Sequence, residues 1–437
     1  MTEAAARSTT EKLVRTVGFW GLVAMCINAV VGSGVFLLPT ESYKLLGPFS
    51  LWAPLLFAVP VFVLVLCFAE AASHFSQPGG AYLYARTAFG DFVGFETGWM
   101  NWLARVTSLA SLSNGFVLAL ARLVPGLDQG LGRVLVIVLS IGILTAIHFV
   151  GVKYGAASIY VFTLGKLIPL VGFIIVALIA WRNNPIPASL TIPHRSVSDW
   201  SAAALFMLFA YAGFENMGVP AGEFKNPRRD LPGALLTGTL AIAAIYVLAQ
   251  LGAMSALPDL SLTKTPIADA GAAILGPIAA VIITFGALLS MAGTNSGTVL
   301  EGSRMLYALS LGRRGLRFLS FVHPRFRTPS VAILIHVAVA LALALGGSFA
   351  KLAMLSAVAR LTTYLFTCAG LPLLRKLGGT FRTPLVVPIL GTIISLALFF
   401  TLSAANLIAA IIALVVGGIV YAVAGPAPQD EVALAEI

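Results

Sequence analysis

Apolar runs of roughly 20 residues, each long enough to cross a bilayer as a helix, recur along the whole chain. They predict about twelve helical spans. These lie near residues 18–39, 50–73, 91–121, 131–150, 156–181, 200–221, 231–256, 272–300, 329–346, 351–374, 384–403 and 405–424. Pro and Gly cluster between runs, as in Gln77-Pro78-Gly79-Gly80 and Asn184-Pro185-Ile186-Pro187, where they mark loops. The pattern divides the chain into an N-terminal segment of residues 1–17, one membrane domain of residues 18–425 and a polar tail of residues 426–437. The expected fold class is an all-α polytopic membrane protein.

Two spans break their own pattern. The first, INAVVGSGVFLLPT from Ile27 to Thr40, places Gly32-Ser33-Gly34 at mid-span and closes on a proline. The sixth, Leu208 to Asn216, carries Gly213 and then the carboxylate of Glu215. An unbroken helix satisfies its own backbone in lipid, so an unwound stretch survives only where its open amides and carbonyls line a cavity or meet a ligand. Close helix packing through small residues is the alternative reading of one such break. Breaks at the first and sixth positions are what an inverted repeat of five plus five spans produces, here about 18–181 against 200–374. Half-helix N-termini would then aim partial positive charge at a midplane site suited to a carboxylate.

Composition agrees: 59% of residues are apolar, 10% are charged and the mean hydropathy is +0.97. So little charge cannot cover the surface of a water-soluble domain of this length. No cleavable signal peptide is expected, because the polar segment Met1 to Val17 leads into a full-length span. Cys26, Cys67 and Cys368 fall in apolar runs and read as small core residues rather than disulfide or metal ligands. The net charge of +10 is topological. Of the 27 Lys and Arg residues, 17 fall in segments on the side of the N-terminus, seven on the other side, and Arg105, Lys166 and Arg360 inside spans. That bias places both termini in the cytoplasm and removes the motive for a nucleic-acid partner. The basic run Arg313-Arg314-Gly315-Leu316-Arg317 reads as a solvated loop, and His148 and His336 as satisfied core histidines.

Several stretches resemble the amino acid–polyamine–organocation superfamily of amino acid permeases. They are Gly32-Ser33-Gly34-Val35-Phe36; Phe68 to Ser73 with Gly79-Gly80-Ala81-Tyr82; Gly213-Phe214-Glu215 with Glu223 to Arg229; Glu301 to Ala308; and His323 to Pro329. They run in family order over nearly the whole chain. The resemblance implies the five-plus-five inverted-repeat fold with two extra helices at about 384–424, alternating access, and transport of amino acids or related amines in the cell inner membrane. It calls for no cofactor.

Lys166 lies ten residues into the fifth span, some 15 Å deep at about 1.5 Å per residue. In sodium-independent family members a lysine at the corresponding place stands where others bind sodium, so the resemblance makes Lys166 a stand-in for the ion and a candidate proton carrier. A fixed cation bracing span one against span eight is the alternative. Arg105 and Arg360 also lie inside spans and must meet a carboxylate, carbonyls or water. Glu215 is the intramembrane partner at hand, and an internal Arg–Glu215 pair competes with contact to an anionic group on the substrate.

The candidate substrate site comprises Val31, Gly32, Ser33, Gly34, Ala104, Arg105, Phe209, Ala212, Gly213, Glu215 and Gly297, with Lys166, Thr294 and Asn295 for coupling. The resemblance suggests Ala104 and Arg105 on the pocket wall and Phe209 as an aromatic that closes over substrate. It also sets Gly297 where some arginine-exchanging relatives carry a bulky aromatic. Thr294 and Asn295 could reach the Lys166 ammonium or the pocket, or merely bond back to their own helix.

The function expected is a secondary amino acid transporter, sodium-independent, working by proton symport or exchange. Neutral amino acids come first as substrates. Anionic ones follow, because two intramembrane arginines exceed the single deep carboxylate, and cationic ones come last on the same charge count. An amine exchanger of the same fold is a further alternative. A membrane-embedded enzyme lacks any converging triad or ligand set, and a channel lacks a repeated filter loop. The sequence leaves the oligomeric state open.

Overall fold

The computed structural model describes residues 17–75, 79–151, 156–183, 191–218 and 224–426. The expected segment 1–17, apart from Val17, and the tail beyond Pro426 lie outside the described residues. Within them the fold is all helical. In chain order the helices are α1 Phe19–Val30, α2 Gly34–Leu46, α3 Ala53–His74, α4 Gly80–Phe89, α5 Asp91–Leu123, α6 Gly130–Val150, α7 Ala156–Asn183 and α8 Val197–Tyr211. They continue with α9 Pro227–Ala256, α10 Pro266–Leu275, α11 Pro277–Leu311, α12 Ser330–Gly346, α13 Phe349–Leu374, α14 Val386–Phe400 and α15 Ala404–Ala424.

Eight of the described helices are individually long and apolar enough to cross a membrane, and α1 with α2 form a ninth candidate bent by 47°. The shorter apolar helices α8, α12 and α14 fall on expected spans six, nine and eleven. Local signals set several ends. Ser196 and Asp199 cap α8 reciprocally, each side chain accepting the other residue's backbone N–H. Pro266 and Pro277 open α10 and α11, where a missing N–H costs nothing.

The order of elements recurs. A broken helix (α1–α2) leads to α3, the ten-residue α4, the 33-residue α5, then α6 and α7. A second broken helix (α8 and the 3-10 turn Phe214–Asn216) leads to α9, the ten-residue α10, the 35-residue α11, then α12 and α13. Expected span eight, drawn from residue 272, was thus two elements. Gly276, with φ +84, turns the chain between α10 and α11.

Helices α5 and α13 sit at the centre. In α5, 78% of the most apolar stretch is buried against protein, compared with 11% in α6 and 17% in α15. The outward faces of α6 and α15 carry Leu131, Leu139, Ile143, Ile408, Ile412 and Ile419, as a lipid-facing surface requires. Helix α5 packs along both α11 and α13, while α1 lies on α9 and α2 on α8. This brings the two breaks together in the middle of the bundle.

Candidate functional site

Val31 leaves helical geometry at φ −73 and ψ 88, and the chain resumes as α2 at Gly34. The carbonyls released by this break are held by two side chains from neighbouring helices. The Lys166 ammonium on α7 donates to Asn28 O at 3.0 Å and Val31 O at 2.7 Å. The Ser290 hydroxyl on α11 lies 3.0 Å from Val31 O and 3.1 Å from Gly32 O. Lys166 is fully buried, and its ammonium fills the position where carbonyl oxygens converge. Ser290 was not singled out in the sequence, because one serine in an apolar helix carries no pattern.

The second break faces the first. Ala212 turns extended at φ −69 and ψ 147, and Gly213 takes φ +133, a conformation rarely open to side-chain-bearing residues. A Cβ on Gly213 would lie 2.7 Å from Ala29 O, and one on Gly34 would lie 2.9 Å from the Cα of Ala210. Glycine is therefore needed for close backbone approach as well as for unwinding. On α9, the Tyr246 hydroxyl lies 2.7 Å from Ala210 O and 3.4 Å from Val30 O, so it contacts the last turns of α8 and α1 together.

Between the breaks lies a cavity of about 20 Å³. That is room for about one water. Of the expected site residues, Gly32, Ser33, Gly34, Arg105, Phe209, Ala212 and Thr294 line it. Ser108, Leu112, Thr298 and Arg360 join them. Helix α2 begins without a side-chain cap, so its amide end is open to an anion. Ser33 Oγ, Thr294 Oγ1 and Arg105 Nε are buried without a hydrogen-bond partner among the described residues. Polar atoms left so are costly, and a substrate that hydrogen-bonds them recovers that cost. Open amides at the start of α2 and the carbonyl ends of α1 and α8 can hold the carboxylate and ammonium of a zwitterion.

One side of the cavity is a charge network. Arg105 Nη2 donates to Glu215 Oε1 at 2.6 Å, and Arg360 Nε reaches the same oxygen at 2.8 Å. Gly213 N donates to the other carboxylate oxygen at 2.8 Å. Arg360 also meets Ser108 at 2.9 Å and the hydroxyl of Ser356. Thus Glu215 partners both arginines and ties the second break to α5 and α13. It does not itself line the cavity. A second carboxylate completes the set: Glu301 on α11 pairs with Arg105 Nη1 at 3.2 Å. The expected excess of arginine over carboxylate is therefore corrected. Arg105, Arg360, Glu215 and Glu301 sum to zero charge when all are ionised. Glu301 was missed as a membrane residue because expected span eight ended at 300, whereas α11 continues to Leu311.

Other expected residues lie apart from the cavity. Ala104 is buried on α5, and its carbonyl accepts from Ser356 at 2.8 Å. Asn295 donates to Ser113 at 3.2 Å and not to Lys166. Gly297 has open space where a Cβ would stand, with no atom of the described residues within 4 Å. Val31 contributes its carbonyl through Lys166 and Ser290. His148 meets Ser296 at 2.9 Å, whereas both ring nitrogens of buried His336 lack partners among the described residues, against the expectation of a satisfied core histidine.

Bonds cross the bundle at both ends. On the face carrying Val17 and Gly425, Arg375 grips Glu70 at 2.6 and 3.1 Å, and Glu70 also accepts from Thr383 N at 2.9 Å. Lys225 N donates to Val17 O at 3.0 Å. On the opposite face Thr40 donates to Thr263 O at 3.0 Å and Lys264 meets Asp128 at 2.8 Å. The Lys264 ammonium holds the Asp128 carboxyl below its ordinary range.

The chain matches the family described as amino acid permease over residues 17–421. It is 31% identical over 374 residues to the serine/threonine exchanger SteT of Bacillus subtilis, covering 83% of this chain and 84% of that protein. It is also 28% identical over 321 residues to an uncharacterized transporter of Mycobacterium tuberculosis, covering 68% and 67% respectively.

Proposed function

The chain belongs to the amino acid permease family and is a multi-pass membrane transporter of amino acids, and we propose that it exchanges small neutral amino acids without sodium by alternating access. The observation that carries this reading is the meeting of two broken helices at a small cavity, with Ser33 and Thr294 unsatisfied beside the open amide end of α2. Zero net charge in the four-residue network favours a zwitterion over an amino acid with a charged side chain. The similar serine/threonine exchanger supports both the substrate size and exchange.

Lys166 supplies sodium independence in this reading, since its ammonium occupies the carbonyl cluster that a cation would need. The recurring element order supports an inverted repeat of residues 18–181 and 200–374 with α14 and α15 added. The basic bias supports cytoplasmic termini in the cell inner membrane.

The test is counterflow in proteoliposomes loaded with unlabelled serine. Labelled serine should enter with saturation, should be displaced by alanine and threonine, and should not change when choline replaces sodium. A strict sodium requirement, or entry equally fast into empty liposomes, would overturn the proposal. Stimulation of entry into empty liposomes by an imposed proton gradient would replace exchange with proton symport.

A further inference from the structure

We propose that Glu301 sets the charge selectivity of the pocket, by closing the one side of the Arg105 guanidinium that a second substrate carboxylate would otherwise take. The inference rests on the neutral-substrate reading above and names the residue responsible for it.

Arg105 lines the cavity and is a fork of donors, with each edge able to bind a separate carboxylate. One terminal nitrogen is committed to Glu215, which Arg360, Gly213 N and Asn216 also address. Among the described residues the other meets Glu301, at 3.2 Å, and Nε has no hydrogen-bond partner. Glu301 therefore supplies the fourth charge that brings the cluster to zero. The two carboxylates differ in how they are held. The Glu215 side chain is fully enclosed and bonded on both oxygens, whereas the Glu301 side chain remains 30% exposed and has its ion pair with Arg105 at one oxygen. Of the two, Glu301 is the one that can be removed without dismantling the second break.

Its position also suits the task. Thr294, Thr298 and Glu301 follow at intervals of four and three along α11, so they share one face of the helix. The first two line the cavity. A substrate bound against them lies within one helical turn of the Glu301 carboxylate. An aspartate or glutamate substrate entering the present pocket meets two arginines already neutralised. Without Glu301 it meets an uncompensated guanidinium in a low-dielectric site, whose cheapest partner is the substrate's own side chain.

Neutral replacement tests this directly. Glu301→Gln and Glu301→Thr are reconstituted beside the unsubstituted protein in liposomes loaded with unlabelled serine. Inhibition of labelled serine counterflow is then measured with aspartate, glutamate and alanine. The half-inhibitory concentration of aspartate, taken relative to that of alanine, should fall roughly tenfold or more. Labelled aspartate should itself become a substrate, and Arg105→Met added to Glu301→Gln should abolish the gain. The ratio is the readout, because a purely structural defect weakens both competitors together. An unchanged ratio in either variant that still exchanges serine overturns the inference. So does failure of both variants to bind serine in a thermal-shift assay, which would make Glu301 a structural prop. A preference of the unsubstituted protein for aspartate over serine would instead sink the neutral-substrate reading from which the inference starts.

Discussion

Gly213 and Ala29 meet backbone to backbone, with the space for a Gly213 Cβ already taken by the Ala29 carbonyl at 2.7 Å. The two breaks thus form one joint rather than two separate defects. Gly213→Ala meets both this contact and an unfavourable φ of +133, a conformational strain of about 1–3 kcal/mol before the clash is added. We expect serine counterflow to fall by at least about fivefold, the low end of that strain at about 1.4 kcal/mol per tenfold. Gly142→Ala on α6, where nothing lies within 4 Å, should leave transport intact. Proteoliposome uptake, normalised to reconstituted protein, checks both.

Lys166→Met removes the ammonium that bonds Asn28 O and Val31 O. It takes this donor from Asn28 O and leaves Val31 O to Ser290, at about 1–3 kcal/mol for the buried group left unsatisfied. Counterflow should drop at least about fivefold on that scale, and midpoint unfolding temperature in detergent should fall with it. Retention of both would show that Ser290 alone can hold the first break.

Glu215→Gln leaves two guanidinium groups facing one another with no counter-charge on their shared side. Breaking a buried pair by deleting one partner costs about 3–5 kcal/mol. The expected outcome is a fall of several degrees in the unfolding midpoint and loss of substrate-induced stabilisation, read by thermal shift with and without serine.

Glu70→Ala cuts the link from α3 to Arg375 and Thr383. Cys67 lies one turn away, packed beneath α14, with its thiol 3.8 Å from Val387 O. Release of the chain leading into α14 should speed labelling of Cys67 and Cys368 by a membrane-permeant maleimide severalfold. Mass spectrometry of labelled peptides measures it, and unchanged protection would place the latch elsewhere.

Asp128 gives a pH control outside the spans. Its carboxyl is depressed by Lys264, so the stabilisation from this pair is complete above the ordinary aspartate value of about 3.9 and is lost only as pH falls through the lower folded value. Across roughly pH 5–8 the contribution is therefore constant. Lys264→Ala should keep the pH profile of serine counterflow unaltered, as measured at matched internal and external pH.

Long apolar runs made most of the helices legible: the span expected at 91–121 is Asp91–Leu123, and that at 405–424 is Ala404–Ala424. The breaks were legible because Gly32-Ser33-Gly34 and Gly213 violate the surrounding pattern. What stayed hidden depends on distances between helices. Arg375 and Glu70 are 305 positions apart, and neither looks unusual beside its own neighbours. Ser290 acquires meaning only from the carbonyls opposite it. Glu301 was read as part of a motif beyond a span, since hydropathy falls there while the helix does not end.

The Tyr246 phenol has a single hydrogen, yet oxygens of two different half-helices stand before it at 2.7 and 3.4 Å. At any instant only one of them can be fully served. A shift of one end relative to the other redirects that hydrogen bond from Ala210 O to Val30 O, so the ends of α8 and α1 compete for a common clasp, and what one gains the other yields.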